Sequence, residues 1–183
     1  MASKNYEFRD IPINQLKLDD KNPRLPKSMH GQSESEIIDY MLLEASTLEL
    51  MQSIGENGFF AGEQLLVKLD EEDGNYLVVE GNSRLTAVKL LNNPELASVQ
   101  KKKVAQVLDE ATEQPDEIPC LIFPDRETIL KYLGFRHITG IKSWKLLEKG
   151  RYLYELRLSE FSTLDFHSAA RELAKTIGSR ADY

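Results

Sequence analysis

Two β-type runs followed directly by a helix constrain the fold of this chain most strongly. The runs cover residues 64–69 and 76–80, and the acidic segment 70–75 between them ends in Gly-Asn, which predicts an antiparallel hairpin. Residues 81–83 are turn formers, and they lead at once into 84–91, where apolar residues share one helical face. This order of strand, turn and helix favours a fold that mixes strands with helices.

Further elements are expected on both sides of this unit. They are a strand over 11–18, a helix that starts at a Ser33–Glu36 capping box, a helix from about Thr47 to Asn57, a polar helical stretch over 95–114 and a strand over 118–123. From residue 126 onward only helical patterns remain, with breaks near 134, 139–140 and 159–163. We therefore predict an α+β fold in residues 1–125, a small mixed or antiparallel sheet with flanking helices, followed by an all-helical segment in residues 126–183.

Composition restricts the class of protein. The chain has 183 residues, of which 41% are hydrophobic and 29% charged, as in an ordinary folded globular protein. Its apolar runs fall far short of the ~20 residues that cross a bilayer. The first residues contain no hydrophobic signal core, and a lone cysteine, Cys120, cannot form an internal disulfide. We expect a cytoplasmic protein that does not bind a membrane.

Charge is distributed unevenly along the chain. Residues 1–130 contain 13 Lys and Arg against 24 Asp and Glu, whereas residues 131–183 contain 10 against 6. The sign of the net charge therefore reverses near residue 131, although the whole chain carries −7. A basic end is typical of a surface that binds nucleic acid, and a solvated basic helix face explains it equally well.

The turn after the second run of the hairpin is the strongest candidate site. A helix that begins directly after a strand points its first amides and the positive end of its dipole at the turn, which suits a phosphate. Gly81 permits close backbone approach, Asn82 and Ser83 add short polar side chains, and Arg84 can hold phosphate oxygens in a bidentate fork. The alternative is a capped turn in which Arg84 pairs with a surface acid. Glu80 could hold a metal or a ribose hydroxyl, or could itself pair with Arg84.

Two other polar segments are weaker candidates for the same ligand. Asn22 and Arg24 belong to a proline-containing loop after the first strand, where Arg24 could meet the anion held by Arg84, unless the loop is a plain connection. Arg136 and His137 lie at a helix junction and could reach the phosphates of a nucleotide or of DNA. A histidine in such a place is more often a structural hydrogen-bond donor.

The end of the chain carries the candidates for DNA binding. Residues 166–177 predict an apolar-faced helix, which a Gly turn and a Ser cap follow, as at the start of a helix-turn-helix. The candidate DNA-binding residues are Lys142, Lys175, Ser179 and Arg180. Because the sequence ends inside the expected second helix, we expect it to be part of a longer protein.

The order of these motifs resembles the amino-terminal domain of ParB-like proteins, in the ParB/sulfiredoxin superfamily. The matching segments are Asn22 to Arg24, residues 50–58, residues 65–67 and Glu80 to Ala87, within roughly residues 8–125. The resemblance implies a ParB/sulfiredoxin fold that binds CTP or ATP, with Mg²⁺ as a further candidate ligand, its phosphates at the 81–84 turn and near Arg24.

The resemblance extends less closely beyond residue 125 and includes departures. Residues 136–144 are similar to a variant of the family's third box, and residues 166–183 to the start of its helix-turn-helix. Asn82 and Ser83 stand where the family's phosphate box has Glu and Arg, and residues 134–135 replace the Glu-Asn pair that serves the metal. Fold and anion binding are therefore better supported than magnesium binding or hydrolysis. Sulfiredoxin chemistry is not expected, because Cys120 falls in a predicted buried strand.

Three functional hypotheses follow. The leading one is a nucleotide-regulated DNA-binding protein of the ParB-like, partition-type class, from a plasmid, phage or other mobile element, with weak CTPase or ATPase activity left open. The alternative is a metal-dependent nuclease or phosphotransferase of the same fold, in which Glu80 helps to hold the metal. The third is a scaffold whose turn binds nothing. Homodimer formation is compatible with the leading hypothesis.

Overall fold

Five strands form one mixed sheet in the computed structural model, which describes residues 6–22, 25–44, 46–134 and 146–176. The strands are β1 (Glu7–Pro12), β2 (Leu16–Leu18), β3 (Leu65–Leu69), β4 (Tyr76–Glu80) and β5 (Glu117–Phe123). The helices are α1 (Glu34–Glu44), α2 (Thr47–Asn57), α3 (Asn82–Asn92), α4 (Lys101–Glu110), α5 (Arg126–Gly134), α6 (Leu146–Glu160) and α7 (Phe166–Thr176). The predicted α+β fold, a mixed sheet with flanking helices and a helical end, is confirmed.

Strand order places two loops at the same edge of the sheet. The order is β1-β5-β3-β4-β2, in which β3 and β4 form the predicted antiparallel hairpin and β2 runs parallel to β4. Leu18 at the end of β2 is opposite Val78, close to the end of β4. Because parallel strands end at the same edge, the loop that follows β2 lies beside the turn that follows β4.

The prediction of a single strand over residues 11–18 is wrong. Pro12 ends β1, and a short 3₁₀ turn (Ile13–Gln15) separates it from β2, with the Ile13 N–H bonded to the Asp116 carbonyl at 2.9 Å. These two strands occupy opposite ends of the strand order although only three residues connect them. Five flat strands would set the edges ~19 Å apart, more than so short a link can span. The sheet is therefore curled, which brings its edges together.

The larger core lies between one face of the sheet and helices α1 to α4. It contains apolar side chains from every strand, including Ile11, Leu16, Val67, Val78 and Ile118, all almost fully buried. A smaller cluster covers the other face, where Ile129 of α5 packs with Leu66, Val79 and Phe123. Helix α5 thus shares a core with the sheet. The domain boundary expected at residue 125 stays a prediction.

Local signals located two helix ends correctly. Ser33 and Glu36 form the predicted capping box: the Glu36 carboxylate accepts from the Ser33 hydroxyl at 2.7 Å and from the Ser33 N–H at 2.9 Å, and these bonds lower the pKa of Glu36. Helix α2 stops as predicted at Gly58, which has a φ of +75°. The stretch predicted to be helical over 95–114 is interrupted, because Asp39 accepts hydrogen bonds from the Ser98 and Val99 N–H groups and holds that segment in bends before α4 begins.

Two further observations bear on chemistry and location. Cys120 lies buried in β5, where loss of hydration raises the pKa of its thiol to about 12. A thiol held neutral in this way is a poor nucleophile.

In the residues that the structure describes, no helix combines the length and the apolar character needed to traverse a bilayer.

The close contact between α2 and the residue that follows α4 provides a test of the fold. Gly55 of α2 lies where a Cβ atom would approach the Ala111 Cβ to 2.9 Å. We expect Gly55→Ala to lower the free energy of unfolding by about 1–3 kcal/mol through overpacking. The matched control is Gly150→Ala in α6, where a Cβ would meet nothing within 4 Å and should stabilise the helix by about 0.5–1 kcal/mol. Urea unfolding followed by circular dichroism measures both, and a stabilising Gly55→Ala would contradict this packing.

Candidate functional site

A single residue in a left-handed conformation connects β4 to α3. Gly81 has a φ of +103°, and a Cβ atom there would lie 2.3 Å from Leu65 Cδ2. Helix α3 therefore begins at Asn82, two residues earlier than the sequence predicted, because one left-handed glycine completes the reversal. The first helical hydrogen bond runs from the Leu85 N–H to the Gly81 carbonyl at 2.9 Å. The N–H groups before Leu85 in this first turn have no acceptor within the helix.

Asn82 holds this turn to the end of β2. Its Oδ1 accepts from the Asp19 N–H at 2.9 Å, and its Nδ2 donates to the Val78 carbonyl at 2.8 Å. The side chain is almost fully buried. The expected role of Asn82 in binding a phosphate stays a prediction.

A buried ion pair extends the same network to α5. The Asp19 carboxylate, 1% exposed, accepts from Arg126 Nη1 and from the Lys21 N–H at 3.0 Å. Arg126 Nη2 also donates to the Lys21 carbonyl at 2.7 Å. Asp19 and Arg126 were not predicted as members of the site, because they are 107 positions apart. The parallel pairing of β2 with β4 brings Asp19 to the turn, and the sequence does not indicate that pairing.

Arg84 lies in the first turn of α3 between two carboxylates. Its Nη1 donates to a Glu63 carboxylate oxygen at 2.7 Å and also to the Glu63 carbonyl. Its Nη2 lies 3.5 Å from Glu80 Oε1. The Arg84 and Glu80 side chains are 14% and 16% exposed, whereas that of Glu63 is 55% exposed. The predicted alternative, pairing of Arg84 with acids, is what the structure contains, and Glu63 is an addition that the sequence did not indicate.

The same arginine lines a cavity of about 670 Å³. This volume falls within the ~300–1,000 Å³ that is usual for small-molecule sites. Arg84 and Glu63 form a charged part of the wall, and three aromatic side chains, Phe59, Phe60 and Tyr152, form another. The remaining lining residues are Leu50, Ser53, Ile54, Asn57, Leu156 and Thr176. Helices α6 and α7 therefore help to enclose a cavity that also contacts the turn region.

The structure describes some of the other candidate residues and not others. Asn22 is buried beside Asp19, its N–H bonded to the Asp19 carbonyl at 3.1 Å, so the first candidate loop does approach the turn. The Ser83 hydroxyl faces the Met41 sulfur at 3.7 Å. Outside the described residues or side chains lie Arg24, Arg136, His137, Lys142, Lys175, Ser179 and Arg180.

Glu80 was the expected metal ligand of the nuclease hypothesis. The structure pairs it with Arg84 instead. Over residues 6–22, 25–44, 46–134 and 146–176, no group of three or more His, Cys, Asp or Glu side chains is arranged to hold a metal ion. The described residues therefore offer no ready-made cluster of protein ligands for Mg²⁺, and the nuclease hypothesis gains no support from this arrangement.

Comparison with solved structures identifies the fold. The chain is similar to the C-terminally truncated chromosome-partitioning protein ParB from Caulobacter crescentus complexed with CTP-gamma-S, with a TM-score of 0.56 and 18% sequence identity, over 96% of this chain and 73% of that one. The chain has a ParB-like fold. The same protein complexed to the centromeric parS site gives a TM-score of 0.39 at 18% identity, over 94% of this chain and 66% of that one.

The ParB-like fold is established by structure alone, because no protein-family model and no curated protein matches the sequence. Identity of 18% shows a shared fold and leaves function to be argued from the site. Three features of this chain bear on its function: the curled sheet, the left-handed turn after β4 and the helices that follow α5.

The left-handed turn can be tested with a pair of glycine variants. Gly81→Ala adds a clash with the fully buried Leu65 to the strain of a positive φ, so we expect a loss of about 2–5 kcal/mol in the free energy of unfolding. Gly74→Ala, also at positive φ but with nothing within 4 Å of the added Cβ, should lose about 1–2 kcal/mol. Chemical denaturation measures both. Equal losses would show that the close approach to Leu65 is unimportant.

Proposed function

We propose that this chain is a nucleotide-regulated DNA-binding protein of the partition type, which binds the phosphates of a nucleoside triphosphate at residues Gly81 to Arg84. One observation carries the proposal: the Arg84 guanidinium stands at the wall of a ligand-sized cavity, beside the start of a helix. A guanidinium and helix-terminal amides are the groups that recognise phosphate oxygens. The first turn of α3 contains no acidic residue that would repel a phosphate.

CTP is the first nucleotide to test and ATP the second. The ParB structure with the same fold was determined with CTP-gamma-S, which is a property of that protein and motivates the choice here. Aromatic side chains around the cavity offer surfaces for a base or a ribose. The proposal assigns no protein ligand to Mg²⁺, since the described residues offer no cluster for it.

Regulation of DNA binding by the nucleotide would arise because the sheet-containing part and the helical end both contribute residues to the cavity wall. Phe59, Phe60 and Arg84 belong to the sheet-containing part, whereas Tyr152, Leu156 and Thr176 belong to α6 and α7. A ligand that contacts both sets stabilises one arrangement of them over others, and this difference is what couples two sites. The excess of Lys and Arg in residues 131–183 suits the DNA surface that the helical end would supply.

Nucleotide binding is tested by isothermal titration with each of the four nucleoside triphosphates, with and without Mg²⁺. We expect one of them to bind, and Arg84→Gln to weaken that binding about tenfold or more, because charge-assisted hydrogen bonds to phosphate are lost. Arg9→Gln removes the same charge from the exposed Arg9–Glu7 pair on β1 and should leave affinity unchanged. Absence of binding for all four nucleotides would refute the proposal, as would an Arg84→Gln variant that binds like the wild type.

DNA binding and its regulation are tested by fluorescence anisotropy on a labelled random-sequence duplex. We expect binding that weakens steeply as salt rises, as phosphate contacts require. Addition of the nucleotide that binds should change the dissociation constant for DNA by about fivefold or more, the lower end of typical coupling. The Arg84→Gln variant should still bind DNA and lose this response. A protein that binds nucleotide but never DNA would limit the proposal to its first half.

A further inference from the structure

Glu63 occupies the position on Arg84 that a ligand phosphate would need. Its carboxylate accepts from Arg84 Nη1 at 2.7 Å, and both residues line the cavity. A carboxylate and a phosphate present the same kind of oxygen acceptor to a guanidinium. The two groups therefore compete for the same donors on the cavity side of Arg84.

Glu63 and Glu80, acidic partners of Arg84 among the described residues, are held very differently. Glu80 ends β4, where it is opposite Leu66 of the neighbouring strand, and its side chain is mostly buried. Glu63 ends a short 3₁₀ turn (Ala61–Glu63) between α2 and β3, and more than half of its side chain is exposed. Strand pairing fixes Glu80, whereas a loop side chain can rotate away at little cost. Glu80 thus orients the guanidinium, and Glu63 is the partner that can be replaced.

We infer that Glu63 is an internal competitor of the ligand: it holds Arg84 until a phosphate displaces its carboxylate, and so it sets the affinity for the nucleotide. This inference rests on the proposed function, because it concerns the same anion at the same arginine. The displaced carboxylate enters solvent, to which it is already exposed.

The magnitude of the effect follows from the exposure of the pair. Exposed ion pairs are weak, so the competitor reduces the affinity by a factor of up to about five. A nucleoside triphosphate carries several negative charges against the single charge of Glu63, and amides at the start of α3 assist the phosphate but not the carboxylate on its loop. The ligand therefore prevails at a moderate cost in affinity.

Displacement of Glu63 should also be visible in the loop that carries it. The Glu63 N–H donates to the Phe60 carbonyl at 2.9 Å, and Phe60 lines the same cavity. Release of the carboxylate removes one of the two bonds between this turn and Arg84 of α3 and leaves the bond to the Glu63 carbonyl. Hydrogen exchange in residues 58–64 should then accelerate when the ligand binds, while exchange in the first turn of α3 slows.

The decisive experiment compares Glu63→Gln, Glu63→Ala and Glu72→Gln with the wild type by isothermal titration. The probes are CTP and inorganic triphosphate, since competition for phosphate does not need a base. Glu72 lies exposed on the β3–β4 hairpin, so Glu72→Gln changes the net charge equally without touching Arg84. We expect both Glu63 variants to bind both probes about two- to fivefold more tightly than Glu72→Gln.

Each other result has a definite meaning. If the wild type binds CTP and the Glu63 variants bind no more tightly than Glu72→Gln, or bind more weakly, the inference is wrong while nucleotide binding stands. If the wild type binds CTP and the Glu63 variants bind it far more than fivefold more tightly, competition is stronger than expected and the inference holds. If no variant binds either probe, although circular dichroism shows all of them folded, the inference falls together with the proposed function.

Discussion

The hydrogen bond between the Asp19 N–H and Asn82 Oδ1 joins the ends of two parallel strands, and the geometry of the candidate site depends on it. Asn82 uses its other amide atom on Val78, which fixes α3 relative to the strand it follows. Asp19 in turn uses its carboxylate on Arg126 at the start of α5. A buried carboxylate is tolerated only when it is paired and hydrogen-bonded. Removal of any one partner from this network would therefore destabilise the fold. It determines where the Gly81 turn and the first turn of α3 point.

Arg84 is mostly buried between two carboxylates. A buried guanidinium would be costly without partners, and Glu63 and Glu80 reduce that cost. In the proposed function, a phosphate would have to replace one of these stabilising contacts. Under that proposal, the ion pair and the anion-binding group would be the same side chain without and with the nucleotide.

The sequence predicted the elements whose signals are local. The capping box at Ser33, the stop at Gly58 and the hairpin around residues 70–75 each depend on neighbours within a few positions, and each was located correctly. Pairing between strands that are far apart in the chain could not be predicted, because periodicity indicates that a segment is a strand but not which distant strand lies beside it. The split between β1 and β2 was missed for this reason. So were the contacts of Asp19 with Arg126 and of Arg84 with Glu63, which are 107 and 21 positions apart.

The turn at Gly81 joins a strand directly to a helix, and the start of a helix favours anions. In this chain the Asn82 side chain is turned inward to the sheet, and Glu63 is set against Arg84 from a loop. If ligand binding exchanges Glu63 for a phosphate, the loop with Phe60 changes its contacts in a cavity that Tyr152 and Leu156 also line. Replacement of Glu63 by a phosphate on Arg84 would thereby change contacts with the helices that follow. In the proposed function, this change is the physical link between nucleotide binding and DNA binding.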